Sequence, residues 1–284
     1  MPMKLAVNYS LPLRQLVEQR AVSVDLYKCP PWPKLLPEVI QAGAPYGIRP
    51  QVHFEYIIGR GNIPTADWTL IKRMLADSET RYVNTHLALR ANEPLAAGLD
   101  LQTERGLQAL EDRILREMDA FAARLGAENV IIENVPWRDF MGGQFVRRFC
   151  EPEGIARIVE ATGCGLLLDI SHATLAAEHL GVDTREYLSA LPVQHLREMH
   201  VTGIQEAHGI RRDHLPMTAA DWDTLDWVLG HISRGDWPEP WLLAFEYGGV
   251  GEALVWRSDP ELLKQQVPRL YQAVHNLTTM PYLL

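Results

Sequence analysis

Histidines and carboxylates fall at or near the ends of short apolar runs in this sequence. The plainest case is VIIENVPW at 130–137, in which three β-branched residues lead directly into Glu133. A run that is apolar on both faces predicts a buried parallel strand. A carboxylate at the end of a buried strand must be paired, protonated or bound to a metal ion. Glu133 is therefore a candidate ligand or catalytic group, with a salt bridge at a barrel rim as the structural alternative.

Residues that bind metal ions recur on the other strand-like runs and on the loops that follow them. The strand candidates are His53, His86, Asp169, His200 and Glu246, and the loop candidates are His172, Asp213 and His214. Each alone also fits a structural role, such as a hydrogen-bonded core histidine, a helix cap or a rim salt bridge. Three carboxylates around one mouth would repel one another unless protons or cations neutralised them, which favours a multivalent cation. Imidazole and carboxylate ligands without thiolate suit iron, zinc or manganese and do not distinguish among them.

These candidates form three mixed groups. The groups are His53, His86 and Glu133; Glu133, Asp169, His200 and Glu246; and His172, Asp213 and His214. Glu133 belongs to two of them because a carboxylate has two oxygens and can bridge ions roughly 3.5–4 Å apart.

Other side chains near the strand ends have two interpretations each. Asn134 either orders the carboxylate bridge or closes a turn, while Arg211 and Arg212 either clamp an anionic substrate or are solvated. The aromatic residues either line the pocket or pack in the core, and they are Trp137, Tyr56 and Tyr247. The remaining histidines are expected at the surface or in packing, and they include His179, His195, His208 and His231.

Eight strand-like runs, with helix-length amphipathic stretches between them, must position these residues. The runs are LAVNY at 5–9, VDLY at 24–27, QVHF at 51–54, YVNTHL at 82–87, VIIEN at 130–134, LLLD at 166–169, EMHVTG at 198–203 and LAFEYG at 243–248. The clearest helix covers 104–125, where apolar residues recur at steps of three and four, and Gly126 follows as a C-cap. Thr65, Thr218 and Asp259 have the sequence context of helix starts.

This alternation predicts an α/β fold, namely a (β/α)₈ TIM barrel that forms a single domain over residues 1–284. In a parallel barrel the C-terminal strand ends converge on one face, so candidates far apart in sequence would surround one pocket. The competing architecture is an open doubly wound sheet. No GxGxxG follows the first strand and no Walker A sequence occurs, which disfavours that architecture.

Composition narrows the class of protein further. The formal net charge of −9 argues against a nucleic-acid partner, because phosphate binding favours a basic surface. The sequence contains neither a signal-like N-terminus nor an apolar run of roughly twenty residues, so we expect a cytoplasmic protein without a membrane segment. Cys29, Cys150 and Cys164 are odd in number and widely spaced, which predicts unpaired thiols and not a disulfide framework or zinc knuckle.

Several of these motifs together resemble a known family. They are ENVP at 133–136, LDISH at 168–172, YLSALPVQHLREMHVTG at 187–203, DHLPMTAADW at 213–222 and FEYGG at 245–249. The pattern is similar to the multinuclear non-haem iron-dependent oxidases, formerly a domain of unknown function, within the xylose-isomerase-like barrel superfamily. The resemblance runs from about His53 to Gly249 and is most specific in the second half.

The resemblance implies a barrel that binds two or three iron ions and uses O₂ to oxidise a ribosomally made precursor peptide, usually at a cysteine. It also implies a small partner protein that presents the peptide. Carried over by motif, Glu133 is the bridge, with Asp169, His200 and Glu246 at one iron site, His53 and His86 at another, and His172 with Asp213 or His214 at a third. Glu133, Asp213 and His214 are also assigned catalytic roles. Relatives often have one residue between the last aspartate and histidine, whereas Asp213 and His214 are adjacent, which puts the third site in question.

Two other enzyme classes share most of these ligands. One is a trinuclear metal phosphodiesterase like endonuclease IV, whose DxxH is similar to Asp169 and His172; the acidic net charge counts against it. The other is a sugar isomerase or epimerase with one divalent ion, which the sequence disfavours because no lysine near the strand ends resembles the usual proton-transfer partner of such enzymes. A binding barrel without catalysis would leave the ligand cluster unexplained.

Overall fold

The structure is a computed structural model that describes residues 2–137, 145–251 and 256–277. The strands are β1 (Lys4–Asn8), β2 (Leu26–Cys29), β3 (Arg49–Val52), β4 (Tyr56–Ile57), β5 (Val83–His86), β6 (Val130–Glu133), β7 (Gly165–Asp169), β8 (Leu196–Val201), β9 (Gly203–Ala207), β10 (Ile210–Leu215) and β11 (Leu242–Phe245). The helices are α1 (Leu11–Glu18), α2 (Leu36–Gly43), α3 (Trp68–Asp77), α4 (Glu104–Leu125), α5 (Pro152–Thr162), α6 (Ile170–Leu180), α7 (Thr184–Ala190), α8 (Ala219–Ser233) and α9 (Pro260–His275).

All eight predicted strand runs are strands, and each starts within about two residues of its predicted start. β6 and β7 are buried along their whole length, as their apolar sequences predict. Two candidates were placed wrongly by the sequence. His53 and Glu246 do not lie in strands; each is the first residue after one, following β3 and β11.

The helix boundaries follow the capping chemistry. α4 has the predicted bounds, and Gly126 ends it with a positive φ of 86°, a conformation that favours glycine. Thr218 forms a capping box at the start of α8, and Asp259 caps α9, so both predicted starts are confirmed. The predicted start at Thr65 is wrong, because its hydroxyl donates to the Asn62 carbonyl in a turn and α3 begins only at Trp68.

The described residues divide into two compact units. The first unit comprises Met1–His53, Leu70–Thr80 and Glu198–Leu284, and the second comprises Phe54–Thr69 and Arg81–Arg197. In the first unit parallel strands follow the order β3-β2-β1-β11-β8. In the second unit they follow the order β7-β6-β5-β4. The prediction of a single domain over residues 1–284 stays a prediction.

A β-hairpin that the sequence placed in a loop follows β8. β9 and β10 pair antiparallel around His208 and Gly209, which both have positive φ, at 56° and 73°. Two positive φ angles suit the tight hairpin turn whose twist matches that of the strands. The register then shifts between Arg212 and Leu215, where β10 contains one extra residue and His214 has a φ of 59°. None of the described helices is both long and apolar enough to cross a membrane.

Candidate metal centre

Glu133 faces an imidazole across two neighbouring strands of the second unit. It ends β6 and is the register partner of His86, which ends β5. His86 Nδ1 lies 3.1 Å from the Tyr56 carbonyl oxygen, which can only accept, so Nδ1 carries the ring proton. His86 Nε2 lies 3.1 Å from Glu133 Oε2. An imidazole lone pair and a carboxylate oxygen repel at this distance unless a second proton or a cation lies with them.

The other oxygen of Glu133 faces a second histidine. Glu133 Oε1 lies 3.4 Å from His172 Nδ1, at the start of α6. His172 Nδ1 donates to the Asn134 carbonyl at 3.0 Å, which leaves Nε2 as the acceptor nitrogen of that ring. Asp169, the N-cap of α6, accepts from the His172 backbone N–H at 2.7 Å and has its second oxygen 3.6 Å from Nδ1. The side chains of Glu133 and Asp169 are buried, so the cluster holds two carboxylates away from water.

Asn134 joins two neighbouring strand ends of this cluster, and its predicted role in ordering the carboxylate bridge stays a prediction. Its amide donates to the Asp169 carbonyl at 2.9 Å, and its side-chain oxygen accepts from the Asp169 N–H at 2.9 Å. The end of β6 is thus fastened to the end of β7. Groups that fix the orientation of metal-binding histidines and carboxylates in this way raise metal affinity.

In the first unit, His53, His200 and Glu246 form a separate cluster. One potential ligand atom from each lies within 4.8 Å of the others. His200 Nδ1 is 3.1 Å from Glu246 Oε1, and the rings of His53 and His200 are 5.1 Å apart. His200 and Glu246 are buried, which limits competition from water.

Glu198 fixes the orientation of His200 and was missed by the sequence prediction. Its Oε1 lies 3.0 Å from His200 Nε2, so Nε2 is the donor and Nδ1 faces Glu246. Gln51 donates to the same oxygen at 3.2 Å, and the Trp241 indole donates to the other at 3.2 Å. Residues two apart on a strand share a face, so the spacing of Glu198 and His200 was a usable signal.

Lys28 on β2 is a candidate for proton transfer that the sequence did not single out. Its ammonium forms an ion pair with Glu246 Oε1 and lies 3.5 Å from His200 Nδ1. The side chain is buried. A buried ammonium neutralises the carboxylate of Glu246 in place of a metal ion, so a cation bound by this cluster would compete with Lys28.

The hairpin places Asp213 and His214 differently. Asp213 is buried, whereas the His214 side chain remains 31% exposed. His214 Nδ1 donates to the Glu246 carbonyl at 3.0 Å and lies 3.6 Å from Glu246 Oε2. The register shift at these residues explains how neighbours in sequence reach different environments. His214 therefore accompanies the first-unit cluster.

Each of the three predicted ligand groups combines residues of both units, and these groups stay predictions. Within the second unit the structure brings together His86, Glu133, Asp169 and His172. Within the first it brings together His53, His200, Glu246 and His214.

Some of the aromatic residues and histidines considered in the sequence analysis pack against neighbouring rings or form structural hydrogen bonds. Trp137 lines a groove of about 730 Å³ in the second unit, where its ring centroid is 4.3 Å from that of His179. Tyr247 is buried and its hydroxyl accepts from the Asp259 N–H. Burial raises the pKa of the Tyr56 phenol. His231 packs on two tryptophans, as expected for a packing residue.

The three cysteines are buried and unpaired, as predicted. Burial raises the pKa of the Cys29 and Cys150 thiols to about 12, and it also raises the pKa of Cys164. A thiol that stays protonated is a poor metal ligand and nucleophile, so the ligand set remains imidazole and carboxylate.

Solved structures with the same fold span nearly the whole chain. A xylose isomerase domain protein from Alicyclobacillus acidocaldarius has a TM-score of 0.58 and 14% identity, covering 98% of this chain and 99% of that one. A D-psicose 3-epimerase, solved in the presence of D-fructose, has a TM-score of 0.55 and 12% identity over 97% and 100% of the two chains. The IOLI protein with a bound zinc atom has a TM-score of 0.54 and 17% identity over 97% and 96%. The predicted TIM-barrel fold is confirmed.

Sequence relatives cover less of the chain. A UPF0276 protein of Bordetella pertussis is 30% identical over 128 residues, which are 41% of this chain and 42% of that protein. A UPF0276 protein of Chromobacterium violaceum is 40% identical over 63 residues, or 22% and 23% of the two chains. The chain thus aligns with less than half the length of these curated relatives.

A family model described as the RiPP precursor modification enzyme MbnB/TglH/ChrH matches residues 57–234, more than half of the chain. The chain therefore belongs to the MbnB/TglH/ChrH family of RiPP precursor modification enzymes.

Proposed function

We propose that the protein is a multinuclear non-haem iron enzyme that uses O₂ to oxidise a side chain, most simply a cysteine, of a ribosomally made precursor peptide. The observation that carries the proposal is buried Glu133, whose Oε2 lies 3.1 Å from the acceptor nitrogen Nε2 of His86 and whose Oε1 lies 3.4 Å from Nδ1 of His172. A multivalent cation would relieve the repulsion between Glu133 Oε2 and His86 Nε2, and imidazole and carboxylate ligands suit iron. Family membership supports a precursor peptide as substrate.

The residues would divide the metal ions between the two clusters. His86, Glu133, Asp169 and His172 would hold an ion in the second unit, and His53, His200 and Glu246 would hold one in the first. Asp213 and His214 are the candidates for a third ion, and for moving protons if no third ion binds. Bound iron would supply the electrons that reduce O₂ and a place for the substrate thiolate. Zinc and manganese remain the alternative ions.

The chain's own residues orient these ligands and hold protons. The Tyr56 and Asn134 carbonyls fix the proton on Nδ1 of His86 and His172, so that Nε2 of each ring is the acceptor. Glu198 fixes the opposite tautomer in His200. Lys28 holds a proton beside Glu246 Oε1, where it balances the carboxylate charge. A small partner protein that presents the peptide belongs to the same proposal.

The test combines metal analysis with a peptide assay. Protein purified in air should contain iron at two or more ions per chain. With a cysteine-containing precursor encoded beside the gene, it should give an oxidised product by mass spectrometry only when O₂ is supplied. Full activity of a zinc-loaded, iron-free preparation would overturn the redox assignment.

A divalent-metal sugar epimerase is the second candidate, and Lys28 is the observation that favours it. A buried ammonium paired with Glu246 is a group that can exchange a proton at a carboxylate. Solved epimerases share the fold. Incubation of the metal-loaded protein with D-fructose and D-psicose decides the matter, because an epimerase interconverts them without O₂ and the oxidase leaves both unchanged.

A further inference from the structure

Two arginines of the first unit lie against one exposed tryptophan. The guanidinium carbon of Arg212, on β10, is 5.6 Å from the ring centroid of Trp256, and that of Arg257 is 5.9 Å away. Both distances are within the range of cation–π attraction. Trp256 is 50% exposed, and the ring of His208 at the hairpin turn is 6.1 Å from it.

Within the described part of the chain, no carboxylate forms an ion pair with either of these arginines. Arg257 Nε is also buried without a hydrogen-bond partner there. Burial and the neighbouring Arg212 lower the pKa of Arg257, whereas Asp213 opposes them. The two positive charges repel each other at this separation, and an anion bound between them would relieve the repulsion.

One of the two arginines, Arg212, lies on the hairpin that also carries a cluster residue, whereas Arg257 lies between β11 and α9. Arg212 precedes His214 by two residues on β10, and His214 donates to the Glu246 carbonyl at 3.0 Å. An anion held by Arg212 and Arg257 would therefore be fixed to the same element that contacts the first-unit cluster. Guanidinium groups match the planar, two-oxygen shape of a carboxylate.

We propose that Arg212 and Arg257, arranged on Trp256, bind a carboxylate of the peptide substrate and so set which residue is presented for modification. The carboxylate belongs to an acidic side chain or to the C-terminus of the peptide. This inference rests on the proposed peptide substrate, but it concerns binding and not oxidation.

The test uses three fluorescein-labelled pentapeptides and anisotropy titrations of the metal-loaded protein. The first is Gly-Ser-Cys-Gly-Ser with a free C-terminus, the second is its C-terminal amide, and the third is the amide with glutamate as the last residue. We expect a carboxylate peptide to bind on the order of tenfold more tightly than the neutral amide. A preference for the first peptide alone assigns the C-terminus, and a preference for the third alone assigns an acidic side chain. A preference for both peptides means that either source is accepted.

Arg212→Gln and Arg257→Gln should each abolish that preference. Trp256→Leu should weaken it, because the ring orients both guanidinium groups. Arg269→Gln is the matched control, since Arg269 also lies over a tryptophan, 3.8 Å from the Trp222 centroid, but is paired with Asp226. Circular dichroism melts check that each variant is folded.

Equal binding of the three peptides, no binding of any up to millimolar concentration, or a preference that survives both arginine variants would overturn the inference. The proposed function fails separately. If the carboxylate preference holds but no O₂-dependent product forms, the anion site stands and the oxidase assignment falls.

Discussion

Glu133→Gln should weaken metal binding without lowering the stability of the metal-free protein. The substitution keeps the size of the side chain but removes the charge that faces His86 and His172. Without metal, the new amide group can donate to the acceptor nitrogen of His86, whereas the carboxylate could only accept. We therefore expect the metal-free variant to melt no lower than the metal-free parent. The loss should be confined to the metal-loaded state.

The size of that loss follows from binding linkage. A metal present at about 100 times its Kd stabilises the parent by about 2.7 kcal/mol. Loss of a carboxylate ligand should weaken binding at least as much as loss of a supporting group does, about 10–100-fold, which at this metal concentration removes about 1.3–2.3 kcal/mol. For a chain of this size that corresponds to a Tm lower by about 3–10 °C.

The assay is calorimetric melting with and without Fe(II) under anaerobic conditions, together with metal analysis by mass spectrometry. Glu111→Gln is the matched control, because Glu111 is also a buried carboxylate of the second unit but pairs with Arg148 and Arg157, at 3.2 and 3.3 Å. It should lower Tm equally in both states and leave the metal content unchanged. If Glu133→Gln kept the parental metal content and the parental gap between the two melts, Glu133 would be a rim carboxylate and the metal reasoning would be wrong.

Three further outcomes follow. His172→Ala should remove metal from the second-unit cluster and spare the first, so metal analysis should show a loss of about one ion; complete loss would contradict separate clusters. Lys28→Met should destabilise the metal-free protein by about 3–5 kcal/mol, because it removes the ion-pair partner of buried Glu246. It should also tighten metal binding at the first-unit cluster. An unchanged melting temperature and metal affinity would contradict the idea that Lys28 competes with the metal ion. Because their pKa is raised to about 12, Cys29 and Cys150 should react slowly with an alkylating reagent at pH 8, where their thiolate fraction is about 10⁻⁴. The alkylation rate should increase as pH rises or when the protein unfolds. Rapid labelling of the native protein at pH 8 would contradict this expectation.

The candidate ligands at strand ends were predictable because one sequence pattern, an apolar run that ends at a histidine or carboxylate, indicates both the strand and the ligand. β6 reads as an apolar run that stops at a carboxylate, and the structure buries all four of its residues. The parallel register then pairs Glu133 with His86, which likewise ends its run. Sequence patterns locate such residues because a buried charge is costly enough to be rare without a partner.

Lys28 and the hairpin were not predictable in the same way. Lysine is usually exposed, and its partner Glu246 lies 218 positions away, directly after β11, which β1 separates from β2. No local pattern reports such a pairing. The turn at His208 and Gly209 lacks the Asn-Gly or Asp-Gly signal of tight hairpins, so the residues after 203 were predicted to form a loop.

The position of Lys28 implies an order of metal binding. In the first unit, Glu246 already faces a permanent cation, so a metal ion must displace or share the Lys28 contact before it binds. In the second unit, Glu133 Oε2 faces the acceptor nitrogen Nε2 of His86, and a cation bound there would relieve the repulsion between the two atoms. We therefore expect a metal ion to occupy the second-unit cluster before the first. Stepwise Fe(II) titration should fill two classes of site with different affinities in the parent, and Lys28→Met should bring the two affinities together.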